Sequence, residues 1–143
     1  MNSAVNLYTR AKDYLETLRE GREIEELKIY SESTKKIKII LSYLLEDFYE
    51  DVRVEIRPVG GLNVQTFAVN IKFRGKKAKY FFTFYRYPQL CPKTFLIKKA
   101  DYFSSQYIYG EIDGCSVKLD NGLEDKSLFV VKLLESLYVN QVR

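Results

Sequence analysis

The chain has 143 residues, of which 46% are hydrophobic and 29% charged, and its formal net charge is +4. These values are typical of one soluble globular domain, which we expect to span residues 1–143 around a single core. The chain contains no histidine, which excludes Ser-His and Cys-His nucleophile pairs and any histidine-bound metal within it.

The sequence also bears on the compartment and on membrane partners. No apolar run approaches the ~20 residues needed to cross a bilayer, and residues 1–13 lack the apolar core of a secretory signal. Cys91 and Cys115 are the two cysteines, a number typical of reduced intracellular thiols rather than of a disulfide-stapled scaffold. We therefore expect a cytoplasmic protein without a membrane partner. Its positive charge is spread among 19 acids and argues only weakly for a polyanionic partner.

Apolar spacing predicts helices in the first third of the chain. Ser3 caps an N-terminal helix at about residues 4–20, and Gly21 ends it. Residues 22–30 fit neither the helical nor the strand period, so a helical extension and a short strand are both open. A second helix is predicted from Ser31 or Ser33 to about Glu50, with one apolar stripe formed by Ile37, Ile40, Leu41, Leu44 and Phe48.

The middle of the chain predicts an antiparallel meander. Residues 52–56 and 67–73 alternate apolar and polar side chains, and Pro58, Gly60 and Gly61 close the first of these strands. Residues 80–85 are aromatic on both sides, which is typical of an inner strand covered on each face. Pro88 and Pro92 interrupt the pairing before a fourth strand at 94–99.

The last third contains fewer signals. Residues 100–121 show only scattered order and are predicted to be loop-rich, after which Asp125 or a neighbour caps a final helix. The apolar side of that helix is predicted to comprise Val130, Val131, Leu134, Leu137 and Tyr138. The predicted fold class is α+β: a four-stranded antiparallel meander with N-terminal helices and a C-terminal helix packed on the sheet.

Few residues offer chemistry by themselves. A nuclease strand of the acid-x-lysine type is excluded at residues 70–72, because Asn70 stands where the metal-binding carboxylate is needed. Cys115 follows Gly114 just before the last helix, a position that favours solvent access and reactivity, whereas a small buried hydrophobe is the alternative for either cysteine. The basic run at residues 74–79 is either a phosphate contact or a solvated hairpin turn.

The order of these features resembles the ubiquitin-conjugating enzyme fold, which is shared with RWD domains and with non-catalytic conjugating-enzyme variants. Tyr87-Pro88 and Pro92 resemble the family's Tyr-Pro-x-x-Pro turn, with one extra residue between the prolines. Gly114-Cys115 resembles the approach to the catalytic cysteine, and residues 130–138 resemble the helix that crosses the sheet. The similarity covers about residues 33–139 and extends to prokaryotic-like and non-catalytic variants of the family. The predicted helix at 4–20 has no counterpart in the family.

The chain departs from the family's motifs around the cysteine. Residues 105–108 occupy the place of the family's His-Pro-Asn element, and the chain has no tryptophan to follow the cysteine. An alternative alignment puts Val117 where the catalytic cysteine belongs, which makes the chain a non-catalytic member.

The resemblance implies that Cys115 accepts the C-terminal acyl group of a ubiquitin-like modifier as a thioester and passes it to an amine. Such a carrier needs an activating enzyme but no metal or cofactor, and Asn121 or Gln106 would hold the oxyanion. The first alternative is a non-catalytic RWD-like module that binds a protein partner. The second is an unrelated α+β domain that binds nucleic acid through five lysines: Lys35, Lys36, Lys76, Lys77 and Lys79.

Overall fold

The computed structural model describes the backbone of residues 2–59, 65–85, 93–100 and 107–138, and their side chains except those of 2–8, 21–27 and 29. The α+β class is confirmed. In chain order the elements are helix α1 (Asn2–Leu45), a 3₁₀ helix (Glu46–Asp51), strands β1 (Arg53–Val59), β2 (Thr66–Phe73), β3 (Lys76–Tyr85), β4 (Thr94–Lys99), β5 (Tyr107–Asp113) and β6 (Ser116–Leu119), and helix α2 (Leu123–Tyr138).

The sheet is an antiparallel meander in the order β1-β2-β3-β4-β5-β6. The prediction of four strands is wrong, because β5 and β6 form a hairpin within residues 100–121. Gly110 weakens the hydrophobic alternation of β5 at an inward position. The glycine is required there, since a Cβ atom would lie 2.6 Å from Phe95 Cζ and 2.7 Å from the Lys118 carbonyl oxygen.

Helix α1 is continuous where the sequence predicted a break. Gly21 does not end it, and the undecided segment 22–30 is helical. A glycine inside a helix costs only about 1 kcal/mol relative to alanine, which the Glu-, Leu- and Lys-rich residues that follow can offset. The helix ends at Leu45, because Glu46 adopts a left-handed φ of 52°, and a 3₁₀ turn continues to Asp51.

The core lies between one face of the sheet and the two helices. The predicted α1 stripe is confirmed for its first four residues, which are at most 1% exposed, and Phe48 packs against them half-buried. Every second residue of β2, β3 and β4 completes the core from the sheet. Its largest fully buried side chains include Phe67, Phe82, Phe95 and Phe129.

The predicted buried face of α2 is confirmed for Leu137 and wrong for Val131 and Tyr138. Phe129, Leu133 and Leu137 form the buried line, whereas Val131 is 51% exposed and Tyr138 is 40% exposed. Two overlapping apolar stripes run along this helix. The stripe that contains Phe129 packs on the sheet, where the centre of the Phe129 ring lies 4.9 Å from that of the Tyr80 ring. Asp125 acts from within the first turn and not as the cap residue, since its carboxylate accepts hydrogen bonds from the Asn121 N–H and Nδ2.

The first part of α1 does not join this core. Residues 9–20, which we call the arm, are all exposed, and they include Tyr14 at 66%, Leu15 at 65% and Leu18 at 43%. The apolar stripe predicted for residues 4–20 is therefore uncovered wherever its side chains are described. Neither described helix carries an apolar stretch of the length that membrane crossing requires.

Several predicted features lie outside the described residues. These are the turn containing Tyr87, Pro88 and Pro92, the thiol Cys91, and the glycines Gly60 and Gly61. The strand predicted to end at Pro58 extends to Val59.

Candidate functional site

Side-chain alternation divides the sheet into two faces. The covered face packs on α1 and α2 through the core. We call the outward-pointing residues on the opposite side the open face. Cross-strand pairing assigns to it Arg53, Glu55, Arg57 and Val59 of β1, Thr66, Ala68, Asn70 and Lys72 of β2, Lys77, Lys79, Phe81, Thr83 and Tyr85 of β3, Thr94, Leu96 and Lys98 of β4, Tyr107, Tyr109, Glu111 and Asp113 of β5, and Ser116 and Lys118 of β6.

The prediction that the aromatic strand is covered on both faces is only partly correct. β3 is an inner strand, as predicted, since it pairs with β2 and β4. Its second face is not covered as expected: Phe81 is only half-buried, and Tyr85 is 42% exposed. Aromatic side chains therefore face outward from the middle of the sheet.

Among the residues that the structure describes, the open face has an excess of positive charge. The open face carries seven cations and three anions, an excess of four positive charges. The other side chains that the structure describes carry nearly equal numbers of cations and anions. Positive charges are spread evenly along the sequence, but in the folded protein the described charges leave one face of the sheet more positive. A surface of this kind favours an anionic partner.

A central row of five residues crosses the open face from β1 to β5. Directly paired positions place Arg57, Ala68, Phe81, Lys98 and Tyr107 next to one another in that order. Lys98 Nζ lies 5.3 Å from the centre of the Tyr107 ring, and Lys79 Nζ lies 5.3 Å from the centre of the Phe81 ring. From β3 to β5 the row therefore places one cation between two aromatic rings, and a further cation, Lys79, lies over the first ring.

Apolar groups widen this row on one side. Tyr109 is 43% exposed, stands opposite Leu96, and its ring centre lies 6.5 Å from that of Tyr107. Two aromatic rings of β5 and an aliphatic side chain of β4 therefore adjoin the cations.

The other side of the row leads to a basic end of the sheet. Arg53, Lys72 and Lys77 are directly opposite one another on β1, β2 and β3. Lys72 Nζ donates a hydrogen bond to Glu55 Oε1 at 2.8 Å. That bond and the positive charge of Lys72 lower the pKa of Glu55 from its ordinary value, so Glu55 stays ionised and neutralises part of this end.

The lysines predicted to bind nucleic acid are not all brought together. Lys77 and Lys79 lie on the open face, Lys79 next to the central row and Lys77 at the basic end of the sheet. Lys76 alternates to the other side of β3. Lys35 and Lys36 lie on α1, which packs on the covered face, so a single nucleic-acid strand on the open face would not reach them.

Cys115 lies in the two-residue turn between β5 and β6, the last two strands of the meander. Asp113 pairs with Ser116, Gly114 supplies a left-handed φ of 60°, and Cys115 is a free, exposed thiol. It is therefore not packed under α2. Val117, its alternative in the family alignment, is half-buried against the core.

Of the two residues predicted to hold the oxyanion, Asn121 and Gln106, only Asn121 lies among the described residues. The Asn121 side chain donates to Asp125 at 3.3 Å, and the Asn121 N–H donates to the same carboxylate at 2.9 Å. This amide is engaged at the start of α2. Gln106 lies outside the described residues.

Sequence reasoning did not find the central row. Phe81 lay in the strand predicted at residues 80–85, whereas Lys79 was assigned to the preceding basic run, although its position two residues before Phe81 was a signal for a shared face. Lys98, Tyr107 and Tyr109 could be joined to them only by the β3-β4-β5 pairing, and β5 was not predicted.

Among the described residues, no group of three or more Cys, Asp or Glu side chains is arranged to hold a metal ion. No family model, curated protein or solved structure matches the chain.

Proposed function

We propose that the protein binds single-stranded nucleic acid on its open face. The observation that carries the proposal is the central row, in which Lys98 of β4 stands between the aromatic residues Phe81 of β3 and Tyr107 of β5. Proteins that bind single strands combine a positive path for the backbone with rings on which bases stack. Both components are present here within one surface.

The spacing of the row supports this partner. Phe81 and Tyr107 are separated by one strand, β4, and hence by about 10 Å, since neighbouring strands lie about 4.8 Å apart. Lys98 stands between them. Two bases can stack on the rings while the phosphate that joins them contacts the lysine.

Single strands fit this face better than duplexes. Stacking on an exposed ring requires an unpaired base, whereas a paired base in a duplex is stacked on its neighbours. The one-sided charge adds affinity that does not depend on sequence and that weakens as salt is added. We expect ssDNA or ssRNA to bind and a blunt duplex of the same length to bind more weakly.

The aromatic contribution can be measured by fluorescence anisotropy with a labelled 20-mer. Tyr107→Leu is expected to raise Kd about fivefold or more, because base–aromatic stacking is worth roughly 1–3 kcal/mol per base. Tyr14→Leu on the arm removes an exposed ring away from the sheet and serves as the matched control. Equal Kd values for both variants and the unmodified protein would contradict the proposal.

The charge contribution has a second matched pair. Lys79→Glu on the open face is expected to weaken binding and to lower the slope of log Kd against log salt by about one. Lys38→Glu makes the same charge change at an exposed position of α1 and should have little effect. If a poly-glutamate peptide competes as well as the unlabelled oligonucleotide, the face recognises negative charge alone, which contradicts a contribution from base stacking.

A second candidate function rests on the exposure of the Cys115 thiol in its turn. An acyl carrier for a ubiquitin-like modifier requires a thiol that the activating enzyme and the amine can both reach. With modifier, activating enzyme and ATP present, such a carrier forms a reductant-sensitive adduct. Cys115→Ser abolishes the adduct or converts it to a stable ester, while Cys91→Ser retains it. The absence of an adduct with the cognate enzyme argues against this candidate.

A further inference from the structure

A cleft adjoins the basic end of the open face, beside the turn that joins β2 to β3. It encloses about 890 Å³, which is within the range of ~300–1,000 Å³ common for small-molecule sites. Among its ten lining residues, five are cationic and two are acidic: Arg53, Lys72, Arg74, Lys76 and Lys77, with Glu50 and Asp51.

We propose that this cleft binds the phosphorylated terminus of the nucleic-acid strand, an inference that rests on the proposed function. A terminal phosphomonoester carries close to two negative charges at neutral pH, whereas each internal phosphate carries one. The terminus is therefore the part of the strand that gains most from a cluster of cations. The cleft also continues the open face directly, since three of its cations form the basic end of the sheet.

The two acidic lining residues, Glu50 and Asp51, favour the terminus of a strand over an internal segment in this cleft. A strand that continued through the cleft would bring further phosphates against Glu50 and Asp51, and this repulsion weakens binding. A strand that ends there meets the cations with its phosphate. The two carboxylates are then available to accept hydrogen bonds from sugar hydroxyls of the last nucleotide.

Arg74 is the cation whose position is most unusual. It adopts a left-handed φ of 46° in the two-residue turn with Gly75, where Asn, Asp or Gly is ordinarily preferred. Its guanidinium lies 5.0 Å from the centre of the Phe73 ring. The Phe73 ring thus holds the Arg74 guanidinium at the cleft. A guanidinium is planar and can donate two hydrogen bonds to one phosphate, so it is well suited to bind this group.

The test uses one 20-mer sequence in three forms, with a 5′-phosphate, a 3′-phosphate or hydroxyls at both ends, labelled at an internal base. We expect one of the two phosphorylated forms to bind about tenfold more tightly than the hydroxyl form, and the form that does so identifies the end. Arg74→Gly should reduce this preference by at least threefold, so that it weakens the phosphorylated form more than the hydroxyl form. Glycine suits the left-handed turn, so this variant keeps the hairpin. Lys38→Ala is the control and should retain the preference.

The outcomes separate this inference from the proposed function. Equal binding of the three forms, or an unchanged preference in Arg74→Gly, overturns the terminus site and leaves the open face as a binding surface. Failure of all three forms to bind overturns both.

Discussion

Tyr80 is a buried residue whose two ends have different environments. Its ring packs on Phe129 of α2, and the residue is only 2% exposed. Its hydroxyl has no hydrogen-bond partner within the described ranges. Burial without a partner raises the pKa of Tyr80 above its ordinary value of 10.0, because the charged form cannot be solvated there.

Removal of this hydroxyl should not destabilise the protein. We expect Tyr80→Phe to leave the free energy of unfolding unchanged or to raise it by up to about 1 kcal/mol, since an unsatisfied buried polar group is deleted. Urea unfolding at pH 7 measures this. A loss of more than about 1 kcal/mol would mean that the hydroxyl has a partner.

The same residue predicts a pH dependence. In the unfolded chain Tyr80 ionises as pH rises past about 10, whereas in the folded protein it stays protonated. Its contribution is therefore fully present below pH 10 and is lost as pH rises further toward the folded pKa. The unmodified protein should lose more stability between pH 9 and pH 11 than Tyr80→Phe does, and Tyr14→Phe, an exposed control, should behave like the unmodified protein.

At the scale of elements, α1 combines two environments in one continuous helix. Its C-terminal part supplies a fully buried stripe to the core, whereas the arm has apolar side chains that no described element covers. Helical propensity alone rarely stabilises an isolated helix in water. The helix is therefore anchored from its C-terminal end.

A pair of identical substitutions on α1 tests this division. Leu41→Ala is expected to cost about 2–5 kcal/mol, the range for a buried leucine that leaves a cavity. Leu15→Ala, at a position 65% exposed, should stay within about 0.5 kcal/mol. Both values come from urea unfolding followed by circular dichroism. A cost above about 1 kcal/mol for Leu15→Ala would show that the arm packs against another surface in solution.

At the scale of the whole molecule, the sheet separates an apolar interior from a charged, aromatic exterior. The covered face and both helices form one core cluster. Among the described side chains, most of the positive excess lies on the open face, and the cleft at the β2-β3 turn lies at its most basic end. The open face therefore becomes more positive toward the β2-β3 turn, and the proposed nucleic-acid function implies a preferred direction for the strand.

The amount that could be predicted differs between local and distant features. Periodicity predicted strands β2 to β4, the stripe from Ile37 to Leu44 and a helix from Ser31 or Ser33 that was expected to reach Glu50 but ends at Leu45. Each of these depends on side chains a few residues apart. Cys115 is exposed, which its place after Gly114 favoured. The acyl carrier, the modifier and the protein partner stay predictions.

The sequence by itself determined the α+β class, the inner position of the aromatic strand and the apolar stripe of α1, since these follow from local spacing. Only the tertiary structure decided the six-strand count, the buried side of α2 and the row that joins Phe81, Lys98 and Tyr107. These features depend on pairing between segments distant in the chain. Local periodicity carries no information about which strand lies beside which, so it cannot show that scattered lysines and tyrosines form one surface.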